Sequence, residues 1–154
     1  MKLEIPKPLQ AEHHELHATL VRATKESGPV GEAAREVARL LHPHFVKEEE
    51  FALPPLALLT ELARRGVTPE MAEVLPMTSR LKAELPAMLA EHGQIVGALN
   101  KLRAAAVAAK LPTYERFAEA LVLHAQSEEQ VLYPAAILIG EHIAHILNKA
   151  VAPA

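Results

Sequence analysis

Six residues of this 154-residue chain have the types and the spacing of a metal site: His13, His44, Glu48, His92, His124 and Glu128. They come as two copies of one pattern. Ala11-Glu12-His13 returns as Ala90-Glu91-His92, and His44, with Glu48, Glu49 and Pro54 after it, returns as His124, Glu128, Glu129 and Pro134. The offsets are 79 and 80 residues, and the two histidines within each half lie 31 and 32 residues apart. His44 and Glu48 are four residues apart, as are His124 and Glu128. On an α-helix each pair would share one face, about 40° apart around the axis and about 6 Å along it. Carboxylates are hard anionic donors able to bridge two cations, and neutral imidazoles add a nitrogen-rich shell that suits iron, among other transition metals. A single histidine on an apolar helix face is ordinarily a core residue satisfied by a hydrogen bond. Six such residues at matched positions change that balance, because burying two carboxylates without cations is costly. The pattern points to a two-fold-related metal site.

The elements that must carry these residues are helices. Leu9, His13, Leu16 and Leu20 recur at helical spacing and mark a first helix over about Pro8 to Glu26, stopped by Ser27-Gly28-Pro29-Val30-Gly31. Val37, Leu40, Leu41, His44, Phe45, Glu48 and Phe51 mark a second helix, bent at Pro43 and ended or kinked at Pro54-Pro55, with a shorter segment from Leu56 to Arg65 beyond it. Gly66 to Pro69 reads as a turn with Thr68 as an N-cap, leading into a short connector helix over 69–75. A third long helix runs from about Ser79 to Ala109 with Leu85, Met88, Leu89, His92, Ile95, Val96 and Leu99 on one side. Pro112-Thr113 opens a fourth, with Thr113 as a capping candidate, and a last helical segment covers about 135–150. The expected fold is all-α: an up-down-up-down four-helix bundle made from a duplicated helical hairpin, with an extra C-terminal helical segment. The whole chain reads as one domain, with the metal-binding bundle over about 9–136.

Composition agrees and excludes other classes. Half of the residues are hydrophobic but only 3% are aromatic, so the core is aliphatic. There is no Cys, which removes thiolate chemistry and disulfides, and no Asp, so every acidic role falls to glutamate. A net charge of −3 offers no basic face for nucleic acid and no cationic helix for a membrane. No secretory signal is visible and no apolar run is long enough to span a bilayer, so the expected location is cytoplasmic.

With these motifs in place, the chain resembles the hemerythrin-like, HHE cation-binding domains. The matching residues are Glu12-His13, His44-Phe45-x-x-Glu48-Glu49, Glu91-His92, and His124-x-x-x-Glu128-Glu129-x-x-Leu132-Tyr133-Pro134. The resemblance implies two non-haem iron ions, bridged by Glu48 and Glu128, with an open position for dioxygen, peroxide or nitric oxide. Oxygen-carrying members use five histidines, the fifth one turn from the third-helix ligand; here Met88 and Val96 stand four residues either side of His92. His17, one turn after His13, is the candidate for a fifth ligand from the first helix instead.

Other polar residues read differently. His14 and His42 sit off the ligand face, and His142 and His145 lie in the trailing helix. Glu12, Glu49, Glu91 and Glu129 adjoin ligand candidates and could orient them from outside, and Tyr133 could donate a hydrogen bond near the site. A ferritin-like di-iron oxidase needs Glu-x-x-His on two helices, and no Glu stands three residues before any of the nine histidines. A His-Glu-x-x-His zinc site fails because Ala18 occupies the second histidine position. The expected function is binding or sensing of a small oxidant, or of iron itself. A di-iron redox enzyme is the runner-up, and a purely structural bundle the plain alternative.

Overall fold

The computed structural model describes residues 2–148, and these contain helices and no strand. Four helices are long: α1 (Lys7–Thr24), α2 (Gly28–Lys47), α4 (Leu75–Ala108) and α5 (Pro112–Ser127). Two are shorter, α3 (Leu59–Arg65) and α6 (Tyr133–Ile146). α1 packs on α2, α2 on α4, α4 on α5, and α5 back on α1, an arrangement consistent with a bundle. The links from α1 to α2 and from α4 to α5 are three residues each, so consecutive helices must turn back along one another. Gly28 makes the first reversal possible with φ of +67°, and Gly66, at +79°, ends α3. Among the described residues no helix is long and apolar enough to cross a membrane.

Each long helix buries a stripe at spacings of three and four: His13, Leu16, Leu20 and Ala23 on α1; Val30, Ala34, Val37, Leu41 and His44 on α2. The apolar residues so buried form two separate cores. One holds Leu16, Leu41, Phe45, Ile95, Leu99, Phe117 and Leu121, and the other Phe51, Leu53, Met71, Leu81, Met88, Tyr133 and Ile139. Along each of the four chain segments the ligand candidates fall in the gap between the two. His92 lies between Met88 and Ile95, Glu48 between Phe45 and Phe51, and His124 and Glu128 between Leu121 and Tyr133. His13 lies between Leu9, which packs on the second core, and Leu16. The polar residues thus share one layer with apolar packing on both sides.

Two local departures from α-geometry shape that layer. Glu48–Ala52 and Glu128–Leu132 are π-helical turns, the first closed by a bond from the Leu53 N–H to the Glu48 carbonyl at 2.9 Å. A proline follows each, at 54 and 134. Proline has no N–H to donate and its ring crowds the carbonyl four residues back, so widening the turn by one residue relieves the clash. Pro54–Leu58 and Pro69–Val74 are 3₁₀ turns on either side of α3. α2 continues through Pro43, and α4 begins at Leu75, four residues before the expected Ser79, because the connector runs straight into it. Thr113 does not cap α5: that helix starts on Pro112 and has no side-chain cap. α6 ends at Ile146, and residues 149–150 of the expected last segment lie outside the described residues.

α6 is held against α4 at very close range by Gly140. A Cβ there would lie 2.0 Å from the Thr78 Oγ1 and 2.5 Å from its Cβ, and Thr78 is buried. Gly140→Ala should therefore force the two helices apart and lower the unfolding free energy by about 1–3 kcal/mol in urea titrations. A variant as stable as the parent would mean that α6 does not dock where it is drawn.

Candidate metal centre

Four histidines and two glutamates from four helices meet in the polar layer: His13 from α1, His44 at the end of α2, His92 from α4, His124 from α5, and Glu48 and Glu128 at the first residue of each π turn. All six are buried. The histidines pair across helices. The Nε2 atoms of His44 and His92 are 2.8 Å apart, and those of His13 and His124 are 3.1 Å apart. Each carboxylate spans both pairs. Glu48 places Oε1 3.2 Å from His44 Nε2 and Oε2 3.5 Å from His13 Nε2. Glu128 places Oε2 3.5 Å from His92 Nε2 while its Oε1 contacts His124 Nε2. Two groups of donors close enough to hold a metal ion result: His44, Glu48, His92 and Glu128, and His13, His124 and Glu128. The pseudo-two-fold of the sequence, which exchanges His13 with His92, His44 with His124 and Glu48 with Glu128, exchanges the histidine pairs of these two groups.

The outer nitrogens explain why the inner ones face inward. His44 Nδ1 donates to Glu91 at 2.7 Å, His92 Nδ1 to Glu129 at 2.9 Å, and His124 Nδ1 to Glu12 at 2.9 Å. Lys47 holds Glu91 in turn at 2.5 Å. The carboxylates therefore come from the residue before an inward histidine or after a buried glutamate, and each serves a histidine on a different helix. An Nδ1–H committed to a carboxylate leaves the Nε2 lone pair directed at the centre. For His44 and His92 this sets two lone pairs 2.8 Å apart, a repulsive contact that a cation between imidazoles and carboxylates would turn into an attractive one. Glu48 Oε2 is buried with no hydrogen-bond partner, a second atom that a cation in this layer would satisfy. The donor set fits a metal.

Without metal the layer balances its charge with protons. Burial and the neighbouring Glu128 push Glu48 well above the usual carboxylate range. Burial acts the same way on Glu128, but hydrogen bonds with Glu48, His124 and His92 outweigh it and hold that group low. His124 loses by burial and gains more from Glu128 and Glu12, rising to about 9, whereas burial and the adjacent His124 lower His13 to about 4. Metal-free, the layer thus favours a proton on Glu48 over Glu128 and on His124 over His13.

Tyr133 is the residue whose place the sequence left open. Its ring is fully buried and its hydroxyl donates to Glu128 Oε2 at 2.5 Å and contacts Glu48 Oε1; it also lies 3.2 Å from His44 Nε2. The π turn brings it there, since residues five apart come round to nearly the same face only when the helix widens. Its counterpart in the first half is Leu53, so the phenol serves one side of the pseudo-two-fold alone.

The structure brings together six of the seven metal-ligand candidates and leaves His17 out. His17 is exposed one turn beyond His13, while Leu16 and Leu20 occupy the inward stripe of α1. The ring of Phe45 stacks on that of His13 with centroids 4.3 Å apart. His14, His42, His142 and His145 are exposed as well. Glu12, Glu91 and Glu129 each meet a histidine, and Glu49, the fourth carboxylate of that symmetric set, is exposed. The sequence carried a signal for these cross-helix pairs in the repeated Glu-His and Glu-Glu dipeptides, but not for which histidine each would reach.

The sequence pattern of one protein family, described as the hemerythrin HHE cation binding domain, matches residues 4–136. No curated protein and no solved structure matches the chain. The match spans both halves of the repeat and all six converging residues, and this chain belongs to the hemerythrin HHE cation-binding domain family.

Proposed function

We propose that this chain is a non-haem di-iron protein that binds or senses a small oxidant (dioxygen, peroxide or nitric oxide) or reports iron itself. His44 and His92 would hold one ion and His13 and His124 the other, with Glu48 and Glu128 bridging them. The observation that carries the reading is the pair of carboxylates, each presenting one oxygen to each histidine pair. Two ferrous ions so held supply reversible electron transfer to a bound diatomic. The chain's own residues do the rest. Glu91, Glu129 and Glu12 fix the imidazoles, the apolar cores above and below exclude water, and Tyr133 keeps a proton beside both carboxylates. A redox enzyme is the second reading, favoured by Tyr133, because turnover of an oxidant needs a proton source within reach.

Anaerobic ferrous loading with metal counting tests the proposal, and two ions per chain is the expected result. At pH 7 loading should also release one proton from His124 and one from Glu48, because both hold protons in the metal-free layer and neither can keep them as a ligand. Affinity should then climb with pH up to about 9, where His124 has lost its proton without metal. An indicator dye reads the release. Oxygen added afterwards separates the two functions: a spectral change that reverses under vacuum supports binding, and continued oxidant consumption supports the enzyme. Less than one metal per chain would sink both.

A further inference from the structure

Three of the four inward histidines are locked from outside by a carboxylate, and the fourth is not. His13 Nδ1 is buried without a hydrogen-bond partner, in a side chain only 5% exposed. On this same side a cavity of about 590 Å³ opens between α1 and α2, and His13 is part of its wall. The other polar groups around it are His14, His17, His42, Glu4, Glu49 and Gln10. A second cavity of about 250 Å³ lies along the α1–α2 groove and shares His17, His42 and Phe45 with the first.

The asymmetry is specific to this face. The sequence repeat pairs His14, His17 and His42 with Gly93, Val96 and Val122, so the equivalent face of the second half has no imidazole at any of the three positions. The cavity beside α5 includes none of the six converging residues in its wall. Every histidine of the two repeats that is not in the buried cluster therefore borders a cavity whose wall includes His13.

An apolar gas needs no such lining, but a hydrated dication does. It must exchange water for protein donors step by step, and neutral imidazole nitrogens and carboxylate oxygens are donors it accepts. We propose that the α1–α2 cavity is a transit site for a divalent transition-metal ion on its way to the buried centre. Glu4 and Glu49 attract the ion, His14, His17 and His42 bind it in passing, and His13 receives it. His13 suits that last step because no carboxylate ties its ring in place. The inference rests on the metal-centre reading above.

Stopped-flow loading of the metal-free protein with cobalt(II), followed by visible absorbance, tests it. His14→Gln/His17→Gln/His42→Gln should bind the same number of ions with the same equilibrium affinity but load about tenfold more slowly. Glu4→Gln/Glu49→Gln should also slow loading and should flatten its dependence on salt. His142→Gln/His145→Gln, whose side chains border neither cavity, is the control and should load at the parent rate. An unchanged rate in both cavity variants overturns the transit role. A reduced metal count in the histidine variant also overturns it, since a resident ligand would then be among the three. A parent protein that takes up no cobalt removes the metal-centre reading together with this one.

Discussion

Glu48→Gln is expected to leave the metal-free protein folded at nearly its original stability while weakening metal binding at least about a hundredfold, or about 2.7 kcal/mol. The same change at Glu128 should damage both. The difference follows from where the protons sit. Glu48, buried and pushed up beside Glu128, is already a neutral acid without metal, and glutamine is its near-isosteric neutral replacement. Glu128 is the ionised partner, in contact with His124 and accepting from Tyr133. Neutralising it strands an imidazolium in a buried layer, which costs about 3–5 kcal/mol when one partner of a buried pair is removed. It also takes a donor from both metal groups at once. Urea denaturation of the two metal-free variants, beside competition of the loaded forms against a chelator, reads the two quantities separately. Equal destabilisation of the metal-free variants would mean that the proton is shared evenly, and the charge assignment of the layer would have to be abandoned.

Much of this site is legible in the sequence because helical periodicity and metal chemistry constrain the same positions. His13 with Leu16 and Leu20, and His92 with Met88 and Ile95, lie on stripes that must face inward whatever the neighbours do. A ligand on such a stripe has only the bundle interior to occupy. The halving of the chain at Gly28, Gly66 and the prolines is equally local. What stayed hidden depends on geometry that sequence spacing does not carry. A proline ten residues after a histidine marks an interruption, but not that the chain answers with a π turn, and Tyr133 reaches the carboxylates only through that turn. The Glu-His pairs are read easily as dipeptides, yet Glu12 serves His124 and Glu91 serves His44, and that choice belongs to helix packing. His17 shows the converse case. Its position one turn from His13 suggests a ligand, but a residue four positions on is rotated by about 40°, and here that rotation carries it over the rim.

The repeat and its breaks have separate meanings. The six converging residues obey the pseudo-two-fold closely, as the proposed pair of ions sharing two carboxylates would require. The departures, Tyr133 against Leu53 and the histidines around the α1–α2 cavity against Gly93, Val96 and Val122, fall on opposite sides of the layer. One side, at His44 and His92, is closed and holds a phenol; the other, at His13, opens toward solvent. The two histidine pairs therefore sit in chemically distinct surroundings although the residues that form them match.

Tyr133→Phe should act with different strength in the two forms of the protein. In the metal-free form the phenol satisfies oxygens of both buried carboxylates, and those oxygens have no water to turn to. Deleting it should lower the unfolding free energy by about 3 kcal/mol, the scale of hydrogen bonds to a buried charged group. Once metal is bound, cations satisfy the same oxygens, so the loaded variant should lose less than about 1 kcal/mol. Because stability and binding are linked, the variant should then bind metal more tightly than the parent by the difference, about 2 kcal/mol or roughly thirtyfold. The comparison uses thermal or urea unfolding with and without metal, plus chelator competition. An equal loss in both forms would mean that the hydroxyl keeps its bonds after metal binds, and no loss in either would mean that Tyr133 acts only by filling the second core beside Phe51 and Met88, since phenylalanine keeps the ring. Weaker metal binding would mean instead that the phenol oxygen itself coordinates the ion at His44 and His92. Tighter binding leaves it the role drawn from its contacts, a proton placed beside the centre that holds the metal-free carboxylates together until cations replace it.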